Sequence, residues 1–101
     1  MIEIAPKETV AKLTWEDARL YCFALNANNK TGWRLPTLEE LYYVRENLDY
    51  KFGHDYYWSS ESTADRANCV FMGGYKYPSK DCTRNSPTTF TFYVRAVRDI
   101  T

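Results

Sequence analysis

Few side chains in this chain have chemical reach. Three cysteines, Cys22, Cys69 and Cys82, stand among 101 residues with one histidine, His54. A thiol or hydroxyl nucleophile needs a base within hydrogen-bond reach, and His54 is the one imidazole available. It lies in Gly53-His54-Asp55, which reads as a solvated turn. The cysteines form neither Cys-x-x-Cys nor a Cys/His set with zinc spacing. Three thiols cannot all pair within one chain. Either all three are reduced, or one disulfide leaves one free thiol; Cys69 and Cys82, flanking a loop-rich stretch, are then the first pair to consider. Adjacent carboxylates occur at Glu16-Asp17 and Glu39-Glu40. Both pairs fall in first turns of predicted helices, where the macrodipole favours acids without any catalysis. Calcium takes about six to eight oxygen ligands, and the remaining acids are dispersed. Met72-Gly73-Gly74-Tyr75 lacks the Lys-Ser/Thr that completes a phosphate loop. No catalytic residue, metal or cofactor is expected.

The elements that position these residues follow from periodicity and caps. Ile2 and Ile4 alternate with Glu3 up to Pro6, a short strand. Thr14 with Asp17 makes a weak capping box. Trp15, Ala18, Cys22 and Leu25 then follow helical spacing, giving a helix over 15–27. Asn26, Asn28, Asn29 and Gly32 end it in a turn. Thr37-x-x-Glu40 is a complete capping box, and Pro36 holds Leu35 extended. Leu38, Leu41, Val44 (or Arg45) and Leu48 continue a second helix over 38–47. Tyr56 to Ser60, Cys69 to Met72 and Phe90 to Val97 read as strands, the last one strong and closing the chain. Residues 73–88 read as the longest irregular stretch. Helices followed by strands give an α+β class: two helices on a small twisted antiparallel sheet, with Ile2–Ile4 paired to the last strand.

Thirteen basic and thirteen acidic side chains give no net charge. This excludes a nucleic-acid module resting on bulk positive potential. No apolar stretch approaches the ~20 residues that span a bilayer, and no secretory signal is visible at the start. Length allows a single domain, 1–101, and a 17% aromatic share excludes simple disorder.

Four motifs in order carry a resemblance: Leu13-Thr14-Trp15-Glu16-Asp17-Ala18-x-x-Tyr21-Cys22, Gly32-Trp33-Arg34-Leu35-Pro36-Thr37-x-x-Glu40-Leu41, Tyr57-Trp58-Ser59-Ser60 and Val94-Arg95-x-Val97-Arg98. The set resembles the Lcl C-terminal domain family of bacteria and their phages, from about Leu13 to Arg98. That family is similar to formylglycine-generating enzyme domains, and both resemble a C-type lectin-like fold. The resemblance implies paired termini, two helices on the sheet, and a long loop region displaying the ligand surface. It does not imply the enzyme's activity: the chain is short, and nothing around Cys69 or Cys82 matches that active site. The Glu-Pro-Asn, Gln-Pro-Asp and Trp-Asn-Asp runs of calcium-dependent sugar binders do not occur, so binding is expected to be calcium-independent.

Individual motif residues have structural tasks. Trp15 and Trp33 are expected as core anchors whose indole N–H groups need acceptors. Arg34 is expected to tie the loop before the second helix to carbonyls or a carboxylate. Glu40 should cap its helix, Ser59 and Ser60 should satisfy backbone where the strand turns, and Arg98 should pair with Glu3 or in the neighbourhood of Asp99.

Recognition is what remains. Tyr75, Lys76, Tyr77, Lys80 and Arg84 stand against one acid, Asp81, on a loop-rich stretch; Tyr57, with Tyr56, extends the same surface. Tyrosine and arginine give large contact area with a polar handle. The expected ligand is a protein, with a glycan as the second choice. The expected setting is a phage or bacterial binding module, in the host cytoplasm or on a virion. Other expectations kept open are a phage-encoded inhibitor of a host intracellular protein, an oligomerising virion or adhesin domain, and a degenerate formylglycine-generating-type enzyme.

Overall fold

The computed structural model describes residues 1–47, 52–73 and 77–100. Seven strands and two helices follow in the order β1 (Ile2–Ile4), β2 (Ala11–Leu13), α1 (Trp15–Ala24), α2 (Leu38–Asn47), β3 (Tyr56–Thr63), β4 (Arg66–Phe71), β5 (Thr83–Pro87), β6 (Phe92–Val94) and β7 (Val97–Asp99). The class is α+β. A five-stranded sheet runs β2-β6-β3-β4-β5, and β1 pairs with β7 in a second, two-stranded sheet. The larger sheet is mixed rather than wholly antiparallel, because β3 and β6 run parallel at Tyr57 and Tyr93.

Both helices start where their caps predict. In α1 the Thr14 hydroxyl accepts the Asp17 N–H at a long 3.4 Å. The α2 box is complete: Thr37 Oγ1 accepts the Glu40 N–H at 3.1 Å, and Glu40 Oε1 accepts the Thr37 N–H at 2.9 Å. Helix α1 ends at Ala24, earlier than the expected residue 27. There Ala27 and Lys30 bridge across Asn28 and Asn29, both at positive φ. Two such residues in succession define a tight turn whose twist suits an antiparallel bridge, and asparagine tolerates that conformation. Gly32 follows at φ +82°, a region that disfavours a Cβ.

Strand alternation explains the core. Consecutive residues point to opposite faces of a sheet. Trp58, Cys69 and Val94 therefore pack on one face with Ala18 and Cys22 of α1, whereas Tyr57, Val70 and Met72 pack on the other with Leu41 and Val44 of α2. With both faces covered, the strands read as continuous apolar runs. Trp58 is fully buried, with its indole N–H bonded to the Leu13 carbonyl at 2.9 Å. Trp15 and Trp33 satisfy theirs on the carbonyls of Ser59 (2.8 Å) and Lys30 (2.9 Å).

Three further expectations change. The closing strand is two strands, β6 and β7, in different sheets. The break falls at Arg95-Ala96, where the buried Arg95 donates from Nε to the Ala5 carbonyl at 3.0 Å. The stretch 73–88 is not wholly irregular: a 3-10 turn, Ser79–Cys82, leads into β5. Ser59 and Ser60 do not end β3. They sit in a register shift between Trp58 and Ser62, after which the strand continues. That bulge meets both helices, since the Glu61 carboxylate also accepts the Leu38 N–H at 2.9 Å.

Arg34 closes the frame. It donates to both oxygens of Glu40 (2.7 and 2.8 Å) and to Asp99 on β7 (2.8 Å). These bonds hold the Glu40 and Asp99 carboxyls below their ordinary values, and the carboxylates push the guanidinium up. Beside them Glu3 is held down by Lys30 first, and also by Arg98.

Two measurements test this frame. Trp58→Ala should lower stability by roughly 3–5 kcal/mol in urea unfolding. Carboxyls depressed in the folded state contribute stability above their unfolded values of about 4 and lose it as pH falls through the folded ones. Melting temperature should therefore hold above about pH 5 and drop in more acid solution, and Glu40→Gln should flatten that drop.

Candidate binding surface

The surface expected from the sequence lies around β5, an edge of the five-stranded sheet. Tyr75 and Lys76 lie outside the described residues. Tyr77 is 63% exposed, and Lys80 and Arg84 are exposed. Tyr57 is a correction. It is 4% exposed, its ring lies 4.8 Å from Phe52 and 5.8 Å from Tyr93, and its hydroxyl accepts the Gly53 N–H at 3.1 Å. Its place in β3 turns it under α2, where burial pushes the phenol up. Its neighbour Tyr56 has the opposite parity and stays half-buried, with the Arg84 guanidinium 5.2 Å from its ring centroid.

The remaining residues divide by face. Arg84 stands opposite Cys69 in register, so its side chain shares the α1 face with Tyr56. Tyr77 and Lys80 belong to a segment held against α2. The surface therefore wraps around the β5 edge instead of lying flat. Arg66 adds a third exposed cation there and donates to the Asn85 carbonyl at 3.1 Å.

What holds this surface is Arg45, 3% exposed on α2. Its Nε donates to the carbonyls of Phe71 and Gly73, each at 3.1 Å. Its Nη1 donates to the Tyr77 carbonyl at 2.9 Å and the Ser79 hydroxyl at 3.2 Å, and its Nη2 lies 3.0 Å from Cys82 Sγ. The Ser79 hydroxyl in turn donates to the Glu46 carboxylate at 2.6 Å. A planar five-donor fork can serve several carbonyls together, which an ammonium cannot. Gly73 is needed here for space: a Cβ would sit 2.9 Å from Phe71 and 3.1 Å from His54. The sequence placed Arg45 beside Val44 on the apolar stripe of α2. A cation on a buried stripe was the signal that it has a task.

The three thiols form no disulfide. All three are free; Cys22 and Cys69 are buried and Cys82 is half-buried. Cys69 packs on the α1 face and Cys82 on the α2 face, so the sheet separates the pair considered for a disulfide. Burial pushes Cys22 up to about 12 and also raises Cys69. His54 is exposed. Among the described residues no three His, Cys, Asp or Glu side chains converge as a metal site, and no helix is long and apolar enough to cross a membrane.

Two helices covering opposite faces of a mixed sheet, with Arg34 joining the start of α2 to β7 and with β1 paired to β7, define a small α+β domain. The model of the Lcl C-terminal domain family matches residues 4–98, and the chain belongs to that family. No curated protein matches it.

Arg45→Met should destabilise the fold by about 2 kcal/mol or more, because buried carbonyls lose their donor. Amide exchange across residues 77–82 should accelerate more than across β3 and β4. Arg45→Lys should not restore protection.

Proposed function

We propose that this domain is a non-enzymatic, calcium-independent binding module of a phage or a bacterium. It recognises a protein partner through the β5 edge, and a glycan is the second candidate ligand. The observation that carries this reading is the pairing of exposed Tyr77, Lys80 and Arg84 with a backbone fixed from behind by Arg45. A segment already ordered loses less conformational entropy on binding than a free loop. Exposed Arg84 and Lys80, with Arg66 alongside, favour an acidic face on the partner. The raised Cys22 and Cys69 thiols support the non-enzymatic side, because a thiolate is the reactive form.

A partner acting inside a host cell and one on a cell surface are both compatible with this chemistry. A pull-down from bacterial lysate, read by mass spectrometry, tests the reading. The Tyr75→Ala/Tyr77→Ala/Arg84→Ala variant should lose the captured protein and keep its melting temperature within a few degrees. Capture that survives the triple substitution would place the interface elsewhere. A large fall in melting temperature would make those side chains part of the core.

A further inference from the structure

In the two-stranded sheet, apart from β5, β1 offers an open edge. The Ile100 N–H bonds to the Met1 carbonyl at 3.2 Å and the Ala5 N–H to the Ala96 carbonyl at 2.9 Å. Odd-numbered residues of this segment therefore turn their backbone groups toward β7. Those of Ile2 and Ile4 point the other way, because the hydrogen-bonding direction alternates along an antiparallel strand. No hydrogen bond among the described residues uses them. The β5 edge differs. There the Thr83 N–H is taken by Lys80, the Asn85 carbonyl accepts from Arg66, and Pro87 has no N–H. Edges blunted in this way resist strand addition; an edge left open invites it.

The open edge borders a groove of about 670 Å3 between β1 and α2, lined by Ile2, Ile4, Tyr43, Val44 and Glu39 among others. Ile4 packs toward Leu41 and Val44, so the even side chains of β1 form the groove wall. Tyr43 is 56% exposed. Two carboxylates reach this groove. Glu40 is bound by Arg34 and the Thr37 N–H. Glu39 is exposed and makes no hydrogen bond or ion pair among the described residues.

We infer that the β1 edge and its groove take an extended segment of a partner protein as an added strand, with apolar side chains at alternate positions and a basic side chain facing Glu39. Main-chain bonds to Ile2 and Ile4 supply affinity, the groove selects the apolar side chains, and Glu39 selects the charge. This site is separate from the β5 surface and does not depend on it.

The probe is a blocked, fluorescein-labelled hexapeptide, Val-Thr-Val-Thr-Lys-Thr, which sets Lys on the same strand face as Val and so toward Glu39 (the Val/Lys peptide), with the same peptide carrying Glu in place of Lys (the Val/Glu peptide) as control. Anisotropy should show saturable binding of the Val/Lys peptide, weakening with salt. Hydrogen exchange should slow at the Ile2 and Ile4 amides. Ile2→Pro removes one outward donor at a position where proline is tolerated, the first residue of a strand, and should weaken binding about fivefold or more. Glu39→Lys should cost about threefold to fivefold for the Val/Lys peptide and reverse the preference toward Val/Glu. The Tyr77→Ala/Arg84→Ala variant should bind the peptide unchanged. Absence of saturable Val/Lys binding, or indifference to Glu39→Lys, overturns the proposal even if Ile2→Pro fails to fold. So does a dimer that Ile2→Pro converts to monomer, which would mean that a second copy fills the edge.

Discussion

A charged guanidinium sits where an apolar side chain would ordinarily go. Arg45 occupies the inner stripe of α2, one residue from fully buried Val44. Desolvating a guanidinium is costly, and only dense hydrogen bonding offsets it. The chain supplies that density from Phe71, Gly73, Tyr77, Ser79 and Cys82. The dependence is mutual. The carbonyls that leave β4 need a donor, and the guanidinium needs acceptors that an apolar core cannot provide. Residues 77–82 thereby become part of the folded unit.

The Arg34 fork does comparable work at the other end of α2. It joins the capping box to β7, residues 65 apart in sequence. Its side chain is about a third exposed, so solvent screens its charges and its value lies more in geometry than in energy. Bidentate contact fixes the angle at which α2 leaves the sheet. The bulge at Ser59–Glu61 fixes the same angle from the sheet side. With α2 oriented twice, Arg45 is delivered under the loop.

The helices were legible because their caps are local. Thr37 and Glu40 announce α2 within four residues. The end of α1 was not, since Leu25, Asn26 and Ala27 do not themselves forbid a helix; the Asn28-Asn29 turn decides it by bridging Ala27 to Lys30. Strand β5, Thr-Arg-Asn-Ser-Pro, carries no apolar alternation and exists because β4 templates it. The break between β6 and β7 is equally non-local, for the alternation from Phe90 to Val97 runs straight through it. For the surface, parity along β3 separates Tyr56 from Tyr57, but that parity matters only once both sheet faces are known to be covered. Tyr77, Lys80 and Arg84 were legible by composition; the buried residue that fixes their backbone was visible only as an anomaly in a helical stripe.

The pairing of β1 with β7 also sets an order of events during synthesis. Ile2 faces Asp99, and Ile4 faces Val97. Of the strands of this domain, β1 leaves the ribosome first and its partner β7 last. Until then Met1, Glu3 and Ala5, whose backbone groups face β7, have no partner strand. Neither the Arg34–Asp99 bond nor the Arg98–Glu3 bond can form earlier. The larger sheet waits as well, because β6 joins β2 to β3. On a translating ribosome this domain can hold little more than helices and the β3–β4–β5 meander, and strands β6 and β7 complete both sheets together.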